Sequence, residues 1–280
     1  MKNQQISQDA VRNYFDKTGL IYRSWSKDHL HMGLWDKNTK THNEALENMV
    51  NFVSRLLKIE KGDRVLDAGC GIGGSTRYIA SKFGVETVGI NISRVQLHKA
   101  VRLSKNVKNS SLISYYDQDF TKTAFASGSF TKILAIESVC HAQDKSQFIE
   151  EAFRLLKKGG RLVVADGFQE PHNMNEKEEL LLQRFLRGLA VPNLESFNSF
   201  SDKLRMARFS NIQCYDKTNE VMKSLWRIYR SAKRVYPPSY LLSKLRILND
   251  SWYGHLEASY AQKKLVDLKI FRYGIIAAEK

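Results

Sequence analysis

The sequence predicts an α/β fold, a doubly wound, seven-stranded and mostly parallel sheet with helical lid insertions. Short β-rich runs alternate with helical patterns between Lys61 and Asp166, and this alternation is typical of a parallel sheet with helices on both faces. A glycine-rich loop directly follows the first β-rich run, as in many ligand-binding sheets of this kind. Two more β-rich runs near the C-terminus bring the predicted number of strands to seven.

The strands are predicted from β-rich runs bounded by turn residues. In chain order they are RVLDA (64–68), ETVGI (86–90), SLISYY (111–116), KILAI (132–136), RLVVAD (161–166), IQCYDKT (212–218) and IFRYGIIAA (270–278). Helical patterns are predicted at 74–82, 93–104, 145–157 and 173–189, and along one long stretch at 219–265. Gly159 and Gly160 are expected to end the helix at 145–157, because glycine is favoured at a helix C-terminus.

The composition indicates a globular protein, since 42% of the 280 residues are apolar. No run approaches the roughly 20 apolar residues of a membrane span, and the first ten residues, MKNQQISQDA, lack the apolar core of a signal peptide. We therefore expect a cytoplasmic protein without a membrane span. Three widely spaced cysteines predict neither a disulfide framework nor a zinc cluster. His29 and His31 have no visible third ligand, so no metal site is expected.

The formal net charge of +15 leaves four interpretations open. They are a polyanionic partner, an acidic substrate, an anionic membrane surface and a basic solvated face. The segment from Ser201 to Asp250 holds 11 Lys or Arg against 4 Asp or Glu. The same segment contains Trp226, Tyr229, Tyr236 and Tyr240.

The glycine loop is the strongest motif. Gly69, Gly71 and Gly74 satisfy the G-x-G-x-x-G pattern of dinucleotide-binding loops. A nicotinamide dinucleotide also requires an acidic residue at the end of the second strand, where this chain has Asn91. Asp67 ends the first strand, and a carboxylate there would repel a pyrophosphate but suits a ligand with an ammonium group. S-adenosylmethionine is such a ligand.

These residues resemble a known family. VLDAGCGIGG at 65–74 is similar to the first motif of the seven-stranded, class I S-adenosylmethionine-dependent methyltransferases, and the segments at 118–130 and 135–166 resemble later parts of the same fold. The similarity is greatest to the small-molecule group, which includes tocopherol, sterol, sugar and phosphoethanolamine methyltransferases. It implies a Rossmann-like methyltransferase fold and methyl transfer to the O, N or C atom of a natural product, isoprenoid or lipid-like acceptor, anionic or hydrophobic in character.

The resemblance also implies four parts within one catalytic domain. Residues 1–60 form an N-terminal helical flap and residues 61–168 the cofactor-binding core. Residues 169–210 form a helical lid insertion, and residues 211–280 supply the C-terminal strands with an inserted basic helical segment. Tyr22 lies in the flap and is expected to contact the cofactor.

The remaining cofactor contacts are implied by matching positions of the family motifs. Asp67 and the backbone amides of Gly69 and Gly71 would hold the methionine portion, since the exposed amides of a helix N-terminus favour a carboxylate. Asn91 and Gln96 match positions that contact the ribose hydroxyls.

Three further residues complete the implied cofactor site. Asp119 would accept the adenine amino hydrogens, and the backbone N–H of Phe120 would donate to the adenine ring. Glu137 would lie beside the sulfonium, where the low dielectric of a closed site strengthens its field.

His141 is the candidate base. It lies in ESVCH, which matches the segment where phosphoethanolamine methyltransferases pair a histidine with an N-terminal tyrosine, here Tyr14. Sugar methyltransferases use the preceding position, here Cys140, together with an aspartate matched by Asp166. A neutral imidazole with a pKa near 6.5 is expected to accept the proton of the acceptor. The alternatives are that His141 only supports its loop and that Asp166 caps a helix.

Two other functional classes are considered. An RNA methyltransferase or RNA-binding protein is suggested by the net charge. However, the fourth strand ends in IESV instead of the Asn/Asp-Pro-Pro-aromatic turn used on nucleobase amines. An NADP-dependent oxidoreductase is suggested by the glycine pattern and by Arg94. We expect a small-molecule acceptor, S-adenosylmethionine as cofactor and no specific nucleic-acid partner.

Overall fold

The computed structural model describes residues 6–25, 28–244 and 250–280, without the side chains of 19–25, 236–244 and 250. Within these ranges the chain forms one seven-stranded sheet in the order β3-β2-β1-β4-β5-β7-β6. The strands are β1 Arg64–Ala68, β2 Glu86–Asn91, β3 Ile113–Asp117, β4 Phe130–Ile136, β5 Leu156–Gln169, β6 Ser210–Asp216 and β7 Phe271–Glu279. Strands β1 to β5 are parallel, and β7 runs antiparallel to both β5 and β6. The predicted doubly wound, mostly parallel sheet is confirmed.

The helices of the described residues lie on both faces of the sheet and beside the carboxyl ends of its parallel strands. They are α1 Gln8–Trp25, α2 His42–Leu57, α3 Gly74–Phe83, α4 Arg94–Ser104, α5 Lys145–Leu155, α6 Glu176–Gly188, α7 Phe197–Met206, α8 Thr218–Lys244 and α9 Asp250–Asp267. Several begin at side-chain caps. For example, the Thr41 hydroxyl accepts a hydrogen bond from the Glu44 N–H, and Asn175 caps α6 in the same way. These local signals explain why the helix starts are defined.

One sequence prediction needs correction. The stretch predicted as helical at 219–265 is helical in its described parts, α8 and α9, and residues 245–249 lie outside the described residues. Gly159 and Gly160 do not end α5, because α5 already ends at Leu155 and β5 begins at the next residue. Gly159 has a φ of 74°, and its N–H donates to the carbonyl of Lys280 at 2.8 Å. The two glycines therefore lie in an irregular part of β5, where the register to β4 shifts.

Apolar side chains cover both faces of the sheet. One cluster joins β-strand residues such as Ile133 to Phe148 of α5 and Phe200 of α7. The opposite cluster packs Met49 of α2 and Leu225 of α8 against the other side of the strands. The sheet is therefore buried on both faces, as parallel sheets require.

A third cluster links the helices beyond β5 to the start of β7. Leu182 and Phe185 of α6 pack with Ala258 and Leu265 of α9 and with Phe271 of β7. Helix α9 also packs against α1 and α8. These helices form a roof beside the carboxyl ends of the parallel strands, where ligands bind in open α/β sheets. We retain the four-part division of the chain as a proposal. Within the described residues, no helix has the length and apolar character needed to cross a bilayer.

Candidate active site

A cavity of about 350 Å³ lies at the carboxyl ends of the parallel strands. It is formed where the strand order reverses between β1 and β4, which is the usual ligand position in such sheets. Its size suits a small-molecule site. Ten of the predicted site residues line it: Asp67, Gly69, Gly71, Asn91, Gln96, Asp119, Phe120, Glu137, His141 and Asp166. The side chain of Tyr22 lies outside the described residues.

The glycine loop packs tightly against the end of β4. Gly69 has a φ of 82°, and a Cβ atom there would lie 2.3 Å from the Cβ of Ser138. Both the left-handed backbone and the close approach therefore require glycine at this position. Helix α3 starts at Gly74 directly after the loop, so its free N–H groups face the cavity. The glycine loop thus forms a tight turn directly before a helix, as the sequence indicated.

Asp67 is buried at the end of β1, with 2% of its surface exposed. One of its carboxylate oxygens, Oδ2, accepts a hydrogen bond from the Thr76 hydroxyl at 2.7 Å. Burial raises the pKa of Asp67 to about 6. A nearby cation stabilises the ionised form of such a buried carboxylate. Asp67 is therefore suited to bind the ammonium group of a methionine portion.

The end of β2 presents an amide pair. Asn91 Nδ2 donates to Gln96 Oε1 at 2.8 Å, and Asn91 Oδ1 accepts from the Ile92 N–H at 2.9 Å. The other amide atom of Gln96, Nε2, is buried beside the cavity and has no hydrogen-bond partner among the described residues. A buried donor without a partner is unfavourable unless a ligand satisfies it. This orphaned donor fits a ribose hydroxyl, and Asn91 holds it in place.

Asp119 lies at the far end of the cavity and contacts the N-terminal helix. Its Oδ2 atom accepts from Gln8 Nε2 at 2.5 Å, and its Oδ1 atom accepts from the Thr121 N–H at 2.8 Å. Phe120 packs edge-on against Phe148 at a centroid distance of 5.4 Å. The contact from Gln8 was not anticipated from the sequence, because 111 residues separate it from Asp119.

Residues 28–34, here called the strap, lie directly over the glycine loop. His29, Leu30 and His31 line the cavity. A Cβ atom on Gly74 would lie 2.1 Å from the carbonyl oxygen of Asp28. The strap therefore closes the cavity above the start of α3.

The strap is tied to the sheet by Glu137. The Oε1 atom of Glu137 accepts from the Met32 N–H at 2.6 Å and from the Tyr273 hydroxyl at 2.9 Å. Burial, with a smaller contribution from the nearby Asp166 carboxylate, raises the pKa of Glu137 to about 8. Tyr273 was missed by the sequence analysis, since nothing in its own segment distinguishes it from a core residue.

The two strap histidines bond to each other. His31 Nδ1 donates to the Met32 carbonyl at 2.9 Å, and His31 Nε2 lies 3.2 Å from His29 Nδ1. Burial lowers the pKa of His31 to about 4, so this ring is neutral at pH 7. No group of three or more His, Cys, Asp or Glu side chains placed to hold a metal occurs among the residues that the structure describes.

His141 lines the cavity from the short 3₁₀ helix that follows β4. Its Nδ1 atom lies 3.2 Å from the carbonyl oxygen of Ala190. Because a carbonyl only accepts, Nδ1 carries the proton and Nε2 keeps its lone pair. Burial lowers the pKa of His141 to about 4, so the unshifted value near 6.5 expected from the sequence is wrong.

Tyr14 does not pair with His141 as predicted. Its hydroxyl lies 2.7 Å from Nδ1 of His255, and the ring of Phe15 packs edge-on against His141 at 4.9 Å. Tyr14 is also outside the set of described residues that line the cavity. The reason is the helical spacing of α1, which presents Phe15 to the cavity and turns Tyr14 toward α9.

Asp166 is occupied by backbone donors. Its Oδ2 atom accepts from the Cys140 N–H at 2.9 Å, and its Oδ1 atom accepts from the Gly167 N–H at 2.8 Å. The first contact caps the 3₁₀ helix that carries His141, which corresponds to the capping alternative considered from the sequence. Burial raises the pKa of Asp166.

Lys145 is a buried cation that the sequence analysis missed. Only 3% of its surface is exposed, and its Nζ atom donates to the carbonyls of Cys140 and Ala142 at 3.1 and 2.8 Å. It also donates to the carbonyl and side-chain oxygens of Asn193 at 2.9 and 2.7 Å. Lys145 thus joins the His141 turn to the segment between α6 and α7.

The side of the cavity beside His141, here called the acceptor side, is apolar. Its walls include Phe15, Phe185, Leu189, Val191, Leu194 and Phe271. Among the described residues that line the cavity there is no lysine or arginine. The acidic side chains of the lining are Asp28, Asp67, Asp119, Glu137 and Asp166. The cavity therefore has a negative half beside the glycine loop and an apolar half beside His141.

Comparisons with known proteins show similarity to methyltransferases. A family model described as a methyltransferase domain matches residues 66–164. Tocopherol O-methyltransferase of Arabidopsis thaliana is 28% identical over 240 residues, covering 80% of this chain and 69% of that protein. The O-methyltransferase resE of Aspergillus sclerotiorum is 30% identical over 194 residues, covering 69% of this chain and 72% of that protein.

A solved structure shows the same fold. Geranyl diphosphate C-methyltransferase from Streptomyces coelicolor, in complex with Mg²⁺, geranyl diphosphate and S-adenosylhomocysteine, superposes with a TM-score of 0.74 at 18% identity. The alignment covers 100% of this chain and 99% of that one. The similarity therefore extends over the roof helices as well as the sheet.

Proposed function

The chain belongs to the methyltransferase domain family and is an S-adenosylmethionine-dependent enzyme, and on this premise we propose that it methylates a hydroxyl group on an uncharged, largely apolar small molecule. The observation that carries the proposal is the hydrogen bond from His141 Nδ1 to the Ala190 carbonyl. It leaves the basic Nε2 atom of a neutral ring at the wall of the cavity. The adjoining wall is apolar.

Each proposed cofactor contact uses a group whose charge or hydrogen-bonding capacity matches the part of the cofactor that it would hold. S-adenosylmethionine supplies the methyl group on a positively charged sulfur. Asp67 would hold its ammonium group, and the N–H groups of Gly71 and of the first turn of α3 would hold its carboxylate. The predicted Gly69 amide is already occupied, because its N–H donates to the Ile90 carbonyl at 2.9 Å. Gln96 Nε2 would donate to a ribose hydroxyl, which gives the orphaned donor a partner. Asp119 and Phe120 would bind the adenine, and Glu137 would face the sulfonium.

The chain acts mainly by holding the reactants in line. The S–CH₃ bond breaks as the O–CH₃ bond forms, so the acceptor oxygen must lie opposite the sulfur across the methyl carbon. The proton of the hydroxyl passes to His141 Nε2. A weak base is sufficient, because the oxygen becomes strongly acidic as the methyl group reaches it. The strap and the roof helices exclude water from the site.

The charge of the cavity favours an uncharged acceptor. A phosphorylated acceptor would be buried among carboxylates, with no lining lysine or arginine among the described residues to pair with it. Of the two acceptor characters expected from the sequence, this supports the hydrophobic one and not the anionic one. A cationic amine is less favoured, because Asp166 on the acceptor side is already bonded to two backbone amides.

The alternative classes have less support. An oxidoreductase is set aside because the family and its relatives are methyltransferases. An RNA substrate is disfavoured because the cavity is of small-molecule size and apolar on its acceptor side. The cytoplasmic location stays a prediction.

The test is a matched acceptor panel with methyl-labelled S-adenosylmethionine. It compares alkyl-substituted phenols and hydroquinones with the phosphate monoesters and the amino analogues of the same compounds. We expect label on the oxygen of the free hydroxyl compounds and none on the phosphate esters. Methylation restricted to the phosphate esters, the amines or a ring carbon would contradict the proposal.

A further inference from the structure

Among the residues that the structure describes, the lysine and arginine side chains lie outside the cavity lining. Between residues 221 and 235, helix α8 contains no Asp or Glu. Five basic side chains of this stretch are exposed: Lys223, Arg227, Arg230, Lys233 and Arg234. The spacing of residues 223, 227, 230 and 234 is four, three and four, which places them on one face of the helix. They form a basic line about 16 Å long at 1.5 Å per residue.

Most of these cations lack an acidic partner. Lys223, Arg230, Lys233 and Arg234 form no ion pair with any of the described residues. The acid nearest in the helix, Glu220, is paired with Lys217 at 2.6 Å. The face therefore presents an excess of positive charge to solvent.

Aromatic side chains lie beside this line, between α8 and α9. Trp226 is 41% exposed, with Lys263 Nζ 4.4 Å and Arg230 Cζ 5.6 Å from its ring centroid. Tyr229 and Tyr260 stack on each other at 5.2 Å. Tryptophan and tyrosine beside Lys and Arg are typical of surfaces that lie at the headgroup level of a bilayer.

The geometry favours a lipid surface over a nucleic acid. Proteins that bind single strands offer open aromatic faces on which bases stack. Here Tyr229 and Tyr260 cover each other, and the Trp226 ring is flanked by two cations. Val235, at the far end of the line, is 50% exposed and apolar. An exposed apolar group among cations is suited to the boundary between lipid headgroups and acyl chains.

We propose that this surface docks on an anionic lipid bilayer. The basic face is defined as Lys223, Trp226, Arg227, Arg230, Lys233 and Arg234 of α8 with the exposed Lys264 of α9. Lys263 is not part of it, because it is buried and paired with Asp267. Each basic side chain near such a surface strengthens binding about fivefold. The attraction is screened by salt, because the charges are exposed.

The basic face is linked to the cavity through α9. Gln262 lines the cavity, the next residue, Lys263, packs on the Trp226 ring, and Lys264 belongs to the basic face. Docking therefore brings the acceptor side of the cavity close to the bilayer, where an apolar acceptor accumulates. This last link rests on the proposed function, whereas the docking itself does not.

The experiment is co-sedimentation with vesicles of phosphatidylcholine containing about 30% phosphatidylglycerol, and with pure phosphatidylcholine vesicles, at about 0.1 and 0.5 M salt. The test variant is Lys223→Glu/Arg230→Glu/Arg234→Glu. The control is Lys105→Glu/Lys157→Glu/Lys158→Glu, which changes the net charge equally at exposed sites elsewhere. S-adenosylmethionine affinity, measured by calorimetry for each protein, shows that the variants are folded and tests the cofactor assignment separately.

We expect the wild type and the control to bind the anionic vesicles at low salt and to release them at high salt. The test variant should bind at least roughly a hundredfold more weakly, since about fivefold is lost for each of three basic side chains and the new carboxylates are repelled by the anionic surface. Equal losses in the test and control variants would overturn the proposal, as would no binding of the wild type at low salt. Preferential binding of a single-stranded RNA oligonucleotide that displaces the vesicles would also overturn it.

Discussion

The carboxylate of Glu137 accepts a hydrogen bond from the backbone N–H of Met32 at 2.6 Å, which joins the strap to the carboxyl end of β4. Glu137 also lines the cavity where the glycine-loop half meets the acceptor half. The buried Glu137 carboxylate therefore contacts the strap and faces the place proposed for the sulfonium. Its protonation should respond to whether a cation is bound.

The first prediction concerns the pH dependence of cofactor binding. The pKa of Glu137 is raised to about 8, so the carboxyl group is protonated below that pH when no cation is bound. A bound sulfonium favours the ionised form, so binding releases a proton below pH 8. Affinity for S-adenosylmethionine should rise with pH up to about 8, and affinity for the uncharged product S-adenosylhomocysteine should depend less on pH. Calorimetry in two buffers of different ionisation enthalpy measures the released proton.

The matched variants for this prediction are Glu137→Gln and Glu47→Gln, since Glu47 is exposed on α2. Glu137→Gln should remove most of the proton release, and Glu47→Gln should leave it unchanged. Glu137→Gln should also change the pH dependence of the free energy of unfolding. Between the ordinary pKa of 4.5 and about 8, the folded state of the wild type binds a proton that the unfolded state has lost. Its stability therefore falls as pH rises, and Glu137→Gln should reduce that slope. An unchanged proton release would contradict the account.

The second prediction concerns Gln96. Its Nε2 atom is buried without a hydrogen-bond partner among the described residues, and Gln96 lines the cavity. We expect Gln96→Ala to weaken S-adenosylmethionine binding by about 1 kcal/mol, the typical net value of one hydrogen bond. Asp67→Ala should weaken it by about 1 to 3 kcal/mol, because a charged contact is lost. Titration calorimetry measures both affinities, with Asp202→Ala on the surface of α7 as control. Equal affinities in all four proteins would remove the cofactor assignment.

The third prediction concerns Lys145. Its ammonium group lies within hydrogen-bond distance of four oxygens that join the His141 turn to Asn193. Lys145→Met keeps an unbranched side chain that is one atom shorter, and it leaves those oxygens without a donor. We expect it to lower the free energy of unfolding by about 1 to 3 kcal/mol and to slow methyl transfer more than it weakens cofactor binding. Denaturant unfolding measures the first effect. Lys158→Met, at an exposed site, should change neither quantity.

The fourth prediction concerns the acid limb of the rate profile. His141 must be neutral to accept a proton, and burial lowers its pKa to about 4. The single-turnover rate should therefore stay constant as the pH falls from 7 toward 5, with no decline near the ordinary histidine pKa of 6.5. A midpoint near 6.5 that disappears in His141→Gln would show that the histidine titrates as an exposed ring.

The sequence predicted the sheet and most of the cavity because their signals are local. The β-rich runs, the glycine loop and Asp67 lie within short segments whose pattern determines their structure. The missed contacts join distant segments. Tyr14 and His255 are 241 residues apart, and Glu137 and Tyr273 are 136 apart. No local pattern encodes such pairs.

The same reason explains the errors at single residues. Glycine is a residue type favoured at helix ends, but the position of Gly159 is set by Lys280, whose carbonyl accepts the Gly159 N–H. The pKa of His141 depends on burial by the roof helices, which the short motif around it does not reveal. Tertiary packing, and not local preference, determined both outcomes.

The most direct test of the account is the rate of a single methyl transfer in His141→Ala, compared with the wild type and with Tyr14→Phe. We expect His141→Ala to be slower by roughly 10²- to 10⁴-fold, the range for loss of a general base, with unchanged S-adenosylmethionine affinity. Tyr14→Phe should transfer at close to the wild-type rate, because the Tyr14 hydroxyl bonds to His255. Transfer by His141→Ala within a few-fold of the wild type would contradict the assignment of His141 as the base.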